Sequence, residues 1–515
     1  MTHARLAVAA PHPAALESAA AAIAAGGGAV DAALAAATAL AVVYPHQCGV
    51  GGDLVALVRR PDGSVTSVLS IGAAPAAVDV AAFTAEGLMP RQGPHTVTVP
   101  GAVAGWAAVA ELGAALPLAD SLRRAAELAR SGSPVSAGLA RALAGRREIL
   151  LEDAGMIGVF GDGDGGLLAE GDLLVQPALA TTLDALAVDP GAFYHGPIAE
   201  SIAGRLAELG SAMTAADFAA HRAERPEPLM ADAGGARWWV APPPSQGAVL
   251  LGILPDVLAQ AASPGERDML ELIVAAREAA LTRQSRLGDP RGGPIDVAAL
   301  LDPRGRDDDG ELPKAGRALG DTVAVVAADA DGTVVTVIQS VYQWFGSGLL
   351  DPGTGVVLHN RGAAFSVDPR HPGRIGPGLR PPHTLLPVIV ETDDLVVGVG
   401  CQGGSAQPWI LAQVAPPLLD PSAVPAEVLG RGRWVIGAKD LGHPVLTLVA
   451  EPGAESAAAA AETLGLPVAR ADHLLDEAGH VQAVRLRPGS GVIDAASDPR
   501  ADGAALIVVT PEEAA

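Results

Sequence analysis

Gly320-Asp321-Thr322-Val323-Ala324-Val325-Val326-Ala327-Ala328 leads through Asp329-Ala330-Asp331-Gly332-Thr333 into Val334-Val335-Thr336-Val337-Ile338-Gln339-Ser340. The outer pieces are apolar and rich in valine, as strands are, and the middle piece is built of turn residues. A hairpin centred on Asp331 places Thr322 opposite Ser340, because pairing is symmetric about the turn. If the Asp321–Thr322 bond is cut, Thr322 becomes a new N-terminus. Its free α-amine then serves as base for its own hydroxyl, the threonine form of an activated nucleophile. Periodicity alone also allows an ordinary strand threonine, the usual state of such a residue.

Working outward, Asp302 to Arg317 is polar, with Asp307-Asp308-Asp309-Gly310, and reads as an exposed, mobile loop just before Thr322. A surface linker and a loop released on processing both fit it. Pro13 to Ala25 reads as a helix, with proline at its start and Gly26-Gly27-Gly28 ending it. Asp31 to Val43 is a second helix, apolar nearly all round and therefore buried. Leu54 to Val58 and Val65 to Ile71 read as strands. Residues 118 to 280 read as mostly helical, broken at Gly161-Asp162-Gly163-Asp164-Gly165-Gly166. Val445 to Val449 and Val481 to Leu486 suggest strands flanking a helix from Glu455 to Leu466.

The chain has 515 residues, of which 49% are hydrophobic but only 3% aromatic, so Ala, Val and Leu must fill the interior. The net charge of −24 argues against nucleic acid or an anionic membrane as partner. Cys48 and Cys401 are the only cysteines, so no disulfide framework is implied. The apolar run between Met1 and Pro11 is too short for a signal peptide, and no stretch reaches membrane-spanning length. A cytoplasmic protein is expected.

Further motifs fall in a recognisable order. They begin with Ala25-Gly26-Gly27-Gly28-Ala29-Val30-Asp31-Ala32-Ala33, Pro45-His46 and Gly49-Val50-Gly51-Gly52. Val99-Pro100-Gly101-Ala102-Val103-Ala104-Gly105-Trp106, Pro243-Pro244-Ser245-Gln246-Gly247 and Leu287-Gly288-Asp289-Pro290 follow. The most specific are Phe345-Gly346-Ser347-Gly348, Pro352-Gly353-Thr354-Gly355 and Gly403-Gly404, and Ala496 to Gly503 closes the series. Together they resemble the γ-glutamyltransferase family of N-terminal-nucleophile hydrolases over almost the whole chain.

That resemblance implies an α+β fold, a four-layer αββα sandwich made as one precursor and cut before the nucleophile. Residues 1–321 would form the large-subunit region and 322–515 the small-subunit region, the two staying associated, with a higher homo-oligomer left open. Thr322 would be the nucleophile and Ser340 its supporting hydroxyl, bonded to it across the hairpin. Gly403 and Gly404 would supply oxyanion N–H groups, where glycine lets the backbone come close. No cofactor is implied.

Departures from the transferases bear on substrate. Ile71, in Ile71-Gly72-Ala73-Ala74-Pro75, stands where they carry an arginine for the substrate's α-carboxylate. Arg361 and Ala364 stand where amide and acidic residues hold the α-amino group. His383-Thr384 replaces a Ser-Ser pair, and Tyr342 replaces an asparagine. A pocket with Arg361 and no carboxylate at 364 favours an anion over an ammonium. Phe365 to Pro372 with Arg380-Pro381-Pro382-His383-Thr384 resembles the transferase-like subgroup that includes oxamate amidohydrolase. The expected function is a self-processing hydrolase of small, carboxylate-bearing amides. The alternatives are γ-glutamyl transfer or hydrolysis on glutathione-like substrates, and an inactive precursor kept as a scaffold.

Other signals are weaker. Gly398-Val399-Gly400-Cys401-Gln402-Gly403 fits a dinucleotide-binding pattern, but Pro408 and the lack of a following acidic strand speak against it. Both cysteines read as structural. The twelve histidines show no metal-ligand spacing, so no metal is expected. His359, His371 and His383 are evenly spaced, across segments that fix no common face. Arg361 could be a solvated surface arginine; its position favours substrate contact.

Overall fold

The computed structural model describes residues 4–262, 265–303, 321–437 and 442–509. The loop expected between Asp302 and Arg317 falls largely outside these residues.

Strand Asp321–Asp329 is buried on both faces, which is why it reads as an unbroken apolar run. Val323, Val325 and Ala327 pack with helices Pro13–Ala24, Ala29–Val43 and Ala102–Ala110. Ala324, Val326 and Ala328 face the opposite way, onto Leu385, Ile389, Val396 and Val484 of a second layer. The strand's own alternation thus separates a helix layer from a second sheet.

The first sheet has six antiparallel strands in the order Ala504–Val509, Ala4–Ala10, Asp321–Asp329, Val334–Tyr342, Asp53–Arg59, Val65–Ser70. The second runs Val492–Ser497, Val481–Arg487, Val396–Cys401, Val388–Glu391, Ala236–Val240, Leu229–Ala233, also antiparallel. Its outer side chains, among them Trp238, Val240, Val388, Val397 and Val399, pack on helices Gly247–Ala262, Glu266–Arg286 and Gln407–Leu418. The order helix, sheet, sheet, helix is the αββα sandwich. Gly400 allows the sheets to close up: a Cβ there would stand 2.3 Å from Ile338 Cδ1. Both sheets take strands from either side of the Asp321–Thr322 bond, so 1–321 and 322–515 are not separate structural units.

Helix Ala29–Val43 is buried at every position, as its all-round apolarity predicts. The break at Gly161–Gly166 ends helix Ala154–Phe160. Helices dominate residues 118–280, as expected. The stretch read as mostly helical contains the hairpin Leu229–Ala233 and Ala236–Val240, whose two-residue turn is Gly234-Gly235 with φ of +61° and +74°. A glycine pair at such a turn is a hairpin signal, here masked by alanine-rich flanks. The closing segment is a buried ionic knot: Asp498 accepts from Arg433 and Arg500.

Candidate active site

The Asp321–Thr322 bond lies at a break in strand register. Val323 pairs with Gln339, as symmetry about residue 331 requires, but Asp321 pairs with Tyr342 instead of Val341. The extra residue on the second strand is a β-bulge. At this bulge Ser340 Oγ donates to the Asp321 carbonyl oxygen and accepts from the Tyr342 N–H at 2.8 Å. Thr322 is buried, and its Oγ1 has no hydrogen-bond partner among the described residues. The expected hydroxyl–hydroxyl contact is therefore not what the intact chain shows. Ser340 instead holds the carbonyl oxygen of the peptide bond that precedes Thr322.

The Asp321 side chain was not among the sequence candidates. It is buried, which raises its carboxyl well above the usual range, while hydrogen bonds from the Gln402 side chain and the Trp344 N–H act in the opposite direction. Gly403 and Gly404 directly follow Gln402, whose side chain contacts the Asp321 carboxyl. Their φ values are +142° and +52°, and a Cβ on Gly403 would stand 2.4 Å from Ile410 Cδ1. Only glycine meets both conditions at 403. Gln246, also missed, donates from Nε2 to the carbonyls of Thr384 (2.8 Å) and Gly404 (2.9 Å). It thereby joins the glycine turn to the second half of the site.

That half is built on Arg361, in the short 3₁₀ turn Arg361–Ala364. Arg361 is 2% exposed and donates from Nη1 to Thr384 Oγ1 at 3.1 Å. Its guanidinium carbon lies 3.5 Å from the centre of the Tyr342 ring. Tyr342 has φ of +80°, a strained value for a non-glycine residue, of a kind that clusters at functional sites. Among the described residues no carboxylate lies within ion-pair distance of Arg361, and its Nε is buried without a partner. Burial lowers its pKa, opposed by the nearby Tyr342 and Asp53. A buried guanidinium with spare donors is a ready receptor for a carboxylate. Ile71 is buried in an apolar cluster that includes Leu69, Ile338 and Leu385.

His383 lies 3.2 Å from Asp53 Oδ2 through Nε2. Burial and Arg361 lower its pKa to about 4. His359 joins the same carboxylate, with Nδ1 at 3.4 Å. Two of the three evenly spaced histidines therefore do meet, over Asp53; His371 sits elsewhere, on the Gln284 carbonyl. Burial alone would raise the Asp53 carboxyl, but the two imidazoles outweigh it and hold it well below the usual range. Burial pushes the Cys48 thiol up to about 12 and raises Cys401 as well, so both stay protonated, as structural cysteines should. A cavity of about 360 Å³ borders the site, lined in part by Ala74, Val97, Thr98, Gly362 and Phe365.

The sequence and the fold match known proteins. The sequence profile described as Gamma-glutamyltranspeptidase matches residues 15–508. An oxamate amidohydrolase proenzyme from Klebsiella pneumoniae is 36% identical over 96% of this chain and 97% of its own. A glutathione hydrolase-like YwrD proenzyme from Bacillus subtilis is 33% identical over 84% of this chain and 85% of its own. The crystal structure of a cephalosporin acylase from Bacillus halodurans superposes with a TM-score of 0.86 at 30% identity, covering 98% of this chain and 96% of that one. With the profile spanning nearly the whole chain and the fold shared, the protein belongs to the gamma-glutamyltranspeptidase family and is an amidohydrolase of the N-terminal-nucleophile type.

Proposed function

We propose that the chain cuts itself between Asp321 and Thr322 and then hydrolyses small amides that carry a neighbouring carboxylate, oxamate being the type. In maturation, Thr322 Oγ1 attacks the Asp321 carbonyl carbon while the Ser340 hydroxyl holds the oxygen on which charge develops. The peptide nitrogen leaves as the α-amine of Thr322, and water hydrolyses the remaining ester. In turnover the same hydroxyl attacks the substrate amide, with the freed α-amine taking its proton. The N–H groups of Gly403 and Gly404 stabilise the oxyanion, ammonia departs with the proton, and water releases the acid. Residues 1–321 and 322–515 remain together as the two pieces of the mature enzyme. A cytoplasmic location fits two buried, unpaired cysteines.

The observation that carries the substrate reading is Arg361, buried without a carboxylate partner and aligned by Thr384 and Tyr342. The likeness to the Klebsiella oxamate amidohydrolase supports it. The test compares kcat/KM for oxamate, its neutral analogue oxamide and a γ-glutamyl anilide, in the parent enzyme and in Arg361→Ala. Losing a charge-assisted hydrogen bond costs about 1.5–3 kcal/mol, so oxamate turnover should fall by about one to two orders of magnitude. Oxamide should fall much less. Efficient γ-glutamyl transfer by the parent enzyme would favour the transferase alternative, and a protein that stays uncut would favour the scaffold.

A further inference from the structure

Asp53 is a buried carboxylate for which the chemistry above has no use. It opens the strand Asp53–Arg59 as the Cα partner of Ser340. Its two oxygens reach three separate segments. Oδ1 accepts from the Gly72 N–H at 3.1 Å. Oδ2 lies 3.2 Å from His383 Nε2 and 3.4 Å from His359 Nδ1.

Each imidazole is fixed on its other side as well. His383 Nδ1 accepts from the Leu385 N–H at 3.3 Å, which places the ring proton on Nε2, facing Asp53. His359 Nε2 donates to the Thr98 carbonyl at 2.8 Å. The rings flank the anion-binding residues along the chain. His359 precedes Arg361 by two positions, and His383 directly precedes Thr384, whose hydroxyl accepts from Arg361. Gly72 follows Ile71, the position that lacks the transferases' arginine.

A buried carboxylate is costly unless it is paired and hydrogen-bonded. Asp53 meets that condition through hydrogen bonds from the Gly72 N–H and His383 Nε2, with His359 Nδ1 at ion-pair distance only, and it makes no ion pair with Arg361 itself. It therefore opposes the arginine's charge at a distance while leaving the guanidinium free. Among the described residues no group of three or more His, Cys, Asp or Glu is placed to hold a metal ion, so these side chains are not a ligand set.

We propose that Asp53 is the positioning residue of the Arg361 anion site: it binds the segments at 72, 359 and 383 into one frame and so sets where a substrate carboxylate meets the guanidinium. The proposal rests on Arg361 being the carboxylate receptor. Asp53 does not touch Thr322, so its removal should appear in substrate binding more than in chemistry.

The test is Asp53→Asn in the full chain, which keeps the shape and removes the charge. Maturation is followed on a denaturing gel, and kcat and KM are measured with oxamate and oxamide. The KM for oxamate should rise tenfold or more with kcat within about threefold, and the oxamate-to-oxamide ratio of kcat/KM should fall about tenfold. Equal losses on both amides, or an unchanged KM for oxamate, would overturn the proposal. If Asp53→Asn blocks maturation, His383→Gln carries the same comparison, since it removes one arm of the frame and leaves Gly72 and His359 in place. A parent enzyme with no preference for oxamate over oxamide would sink the Arg361 reading itself. A selective loss in Arg361→Ala with none in Asp53→Asn or His383→Gln would sink only the role of Asp53.

Discussion

The Arg361 guanidinium rests on the face of the Tyr342 ring, 3.5 Å from its centre, where the ring's electron-rich face attracts a cation. The same tyrosine donates its backbone N–H to Ser340 Oγ. One residue thus connects Arg361 to the hydroxyl at the Asp321–Thr322 bond.

Tyr342→Phe keeps the aromatic face and should leave oxamate turnover within a few-fold of the parent. Tyr342→Ala removes it. A desolvated cation–π contact contributes about 2 kcal/mol, so kcat/KM for oxamate should fall by up to about 30-fold. Steady-state kinetics of the two variants decides the point: similar losses in both would mean that the ring does not support Arg361.

Thr322→Ala should remain a single chain. Ser340→Ala should mature slowly, because it loses a donor on the Asp321 carbonyl, and removal of one such donor slows acyl chemistry by about 10²–10³-fold. A gel time course gives the rate, and N-terminal sequencing of the smaller piece gives the cut. A fragment starting anywhere but Thr322 would falsify the assigned bond.

Gly403→Ala should impair both stability and turnover. The backbone at φ +142° is closed to alanine, and its Cβ would meet Ile410. Strain of this kind costs about 1–3 kcal/mol. A lowered Tm accompanied by slower hydrolysis is the expected result. Full activity with a native Tm would show that the turn tolerates a side chain and is not shaped for oxyanion contact.

Asp321 gives the uncut precursor a pH dependence of its own. Its folded-state pKa is raised by burial, so between about pH 4, the ordinary carboxyl range, and that raised value the folded chain holds a proton that the unfolded chain has released. The stability linked to this proton is complete below about pH 4 and is lost as pH climbs through the folded-state value. Thermal unfolding of Thr322→Ala, with and without Asp321→Asn, isolates it, since all other groups titrate alike. The single variant should lose ground to the double variant as pH rises; parallel curves would mean that Asp321 is not buried neutral.

The hairpin from Thr322 to Ser340 was legible because β pairing propagates from a local turn, and valine runs with a polar apex announce it. The bulge was not legible, because it depends on how Ser340 meets neighbours on both sides, Asp53 among them. Arg361, Tyr342 and Thr384 could be matched to motif positions, and they do converge. Asp53 could not be found that way. It lies 330 positions from His383, and only the stacking order of strands brings the two together. Gln246 and Gln402 were equally silent, since a glutamine that ties two carbonyls or a carboxyl together has no periodic signature.

The strand that begins at Asp321 runs through the interior of its sheet, between Ala4–Ala10 and Val334–Tyr342. A cut after Asp321 therefore changes how the protein can recover from unfolding. In the intact chain the two halves are tethered, so their meeting is an intramolecular event. The cut pieces, each holding strands of both sheets, must find one another first, so their recovery depends on dilution. Cleavage at that bond would thereby make a one-chain fold into a two-piece assembly held together by its shared sheets.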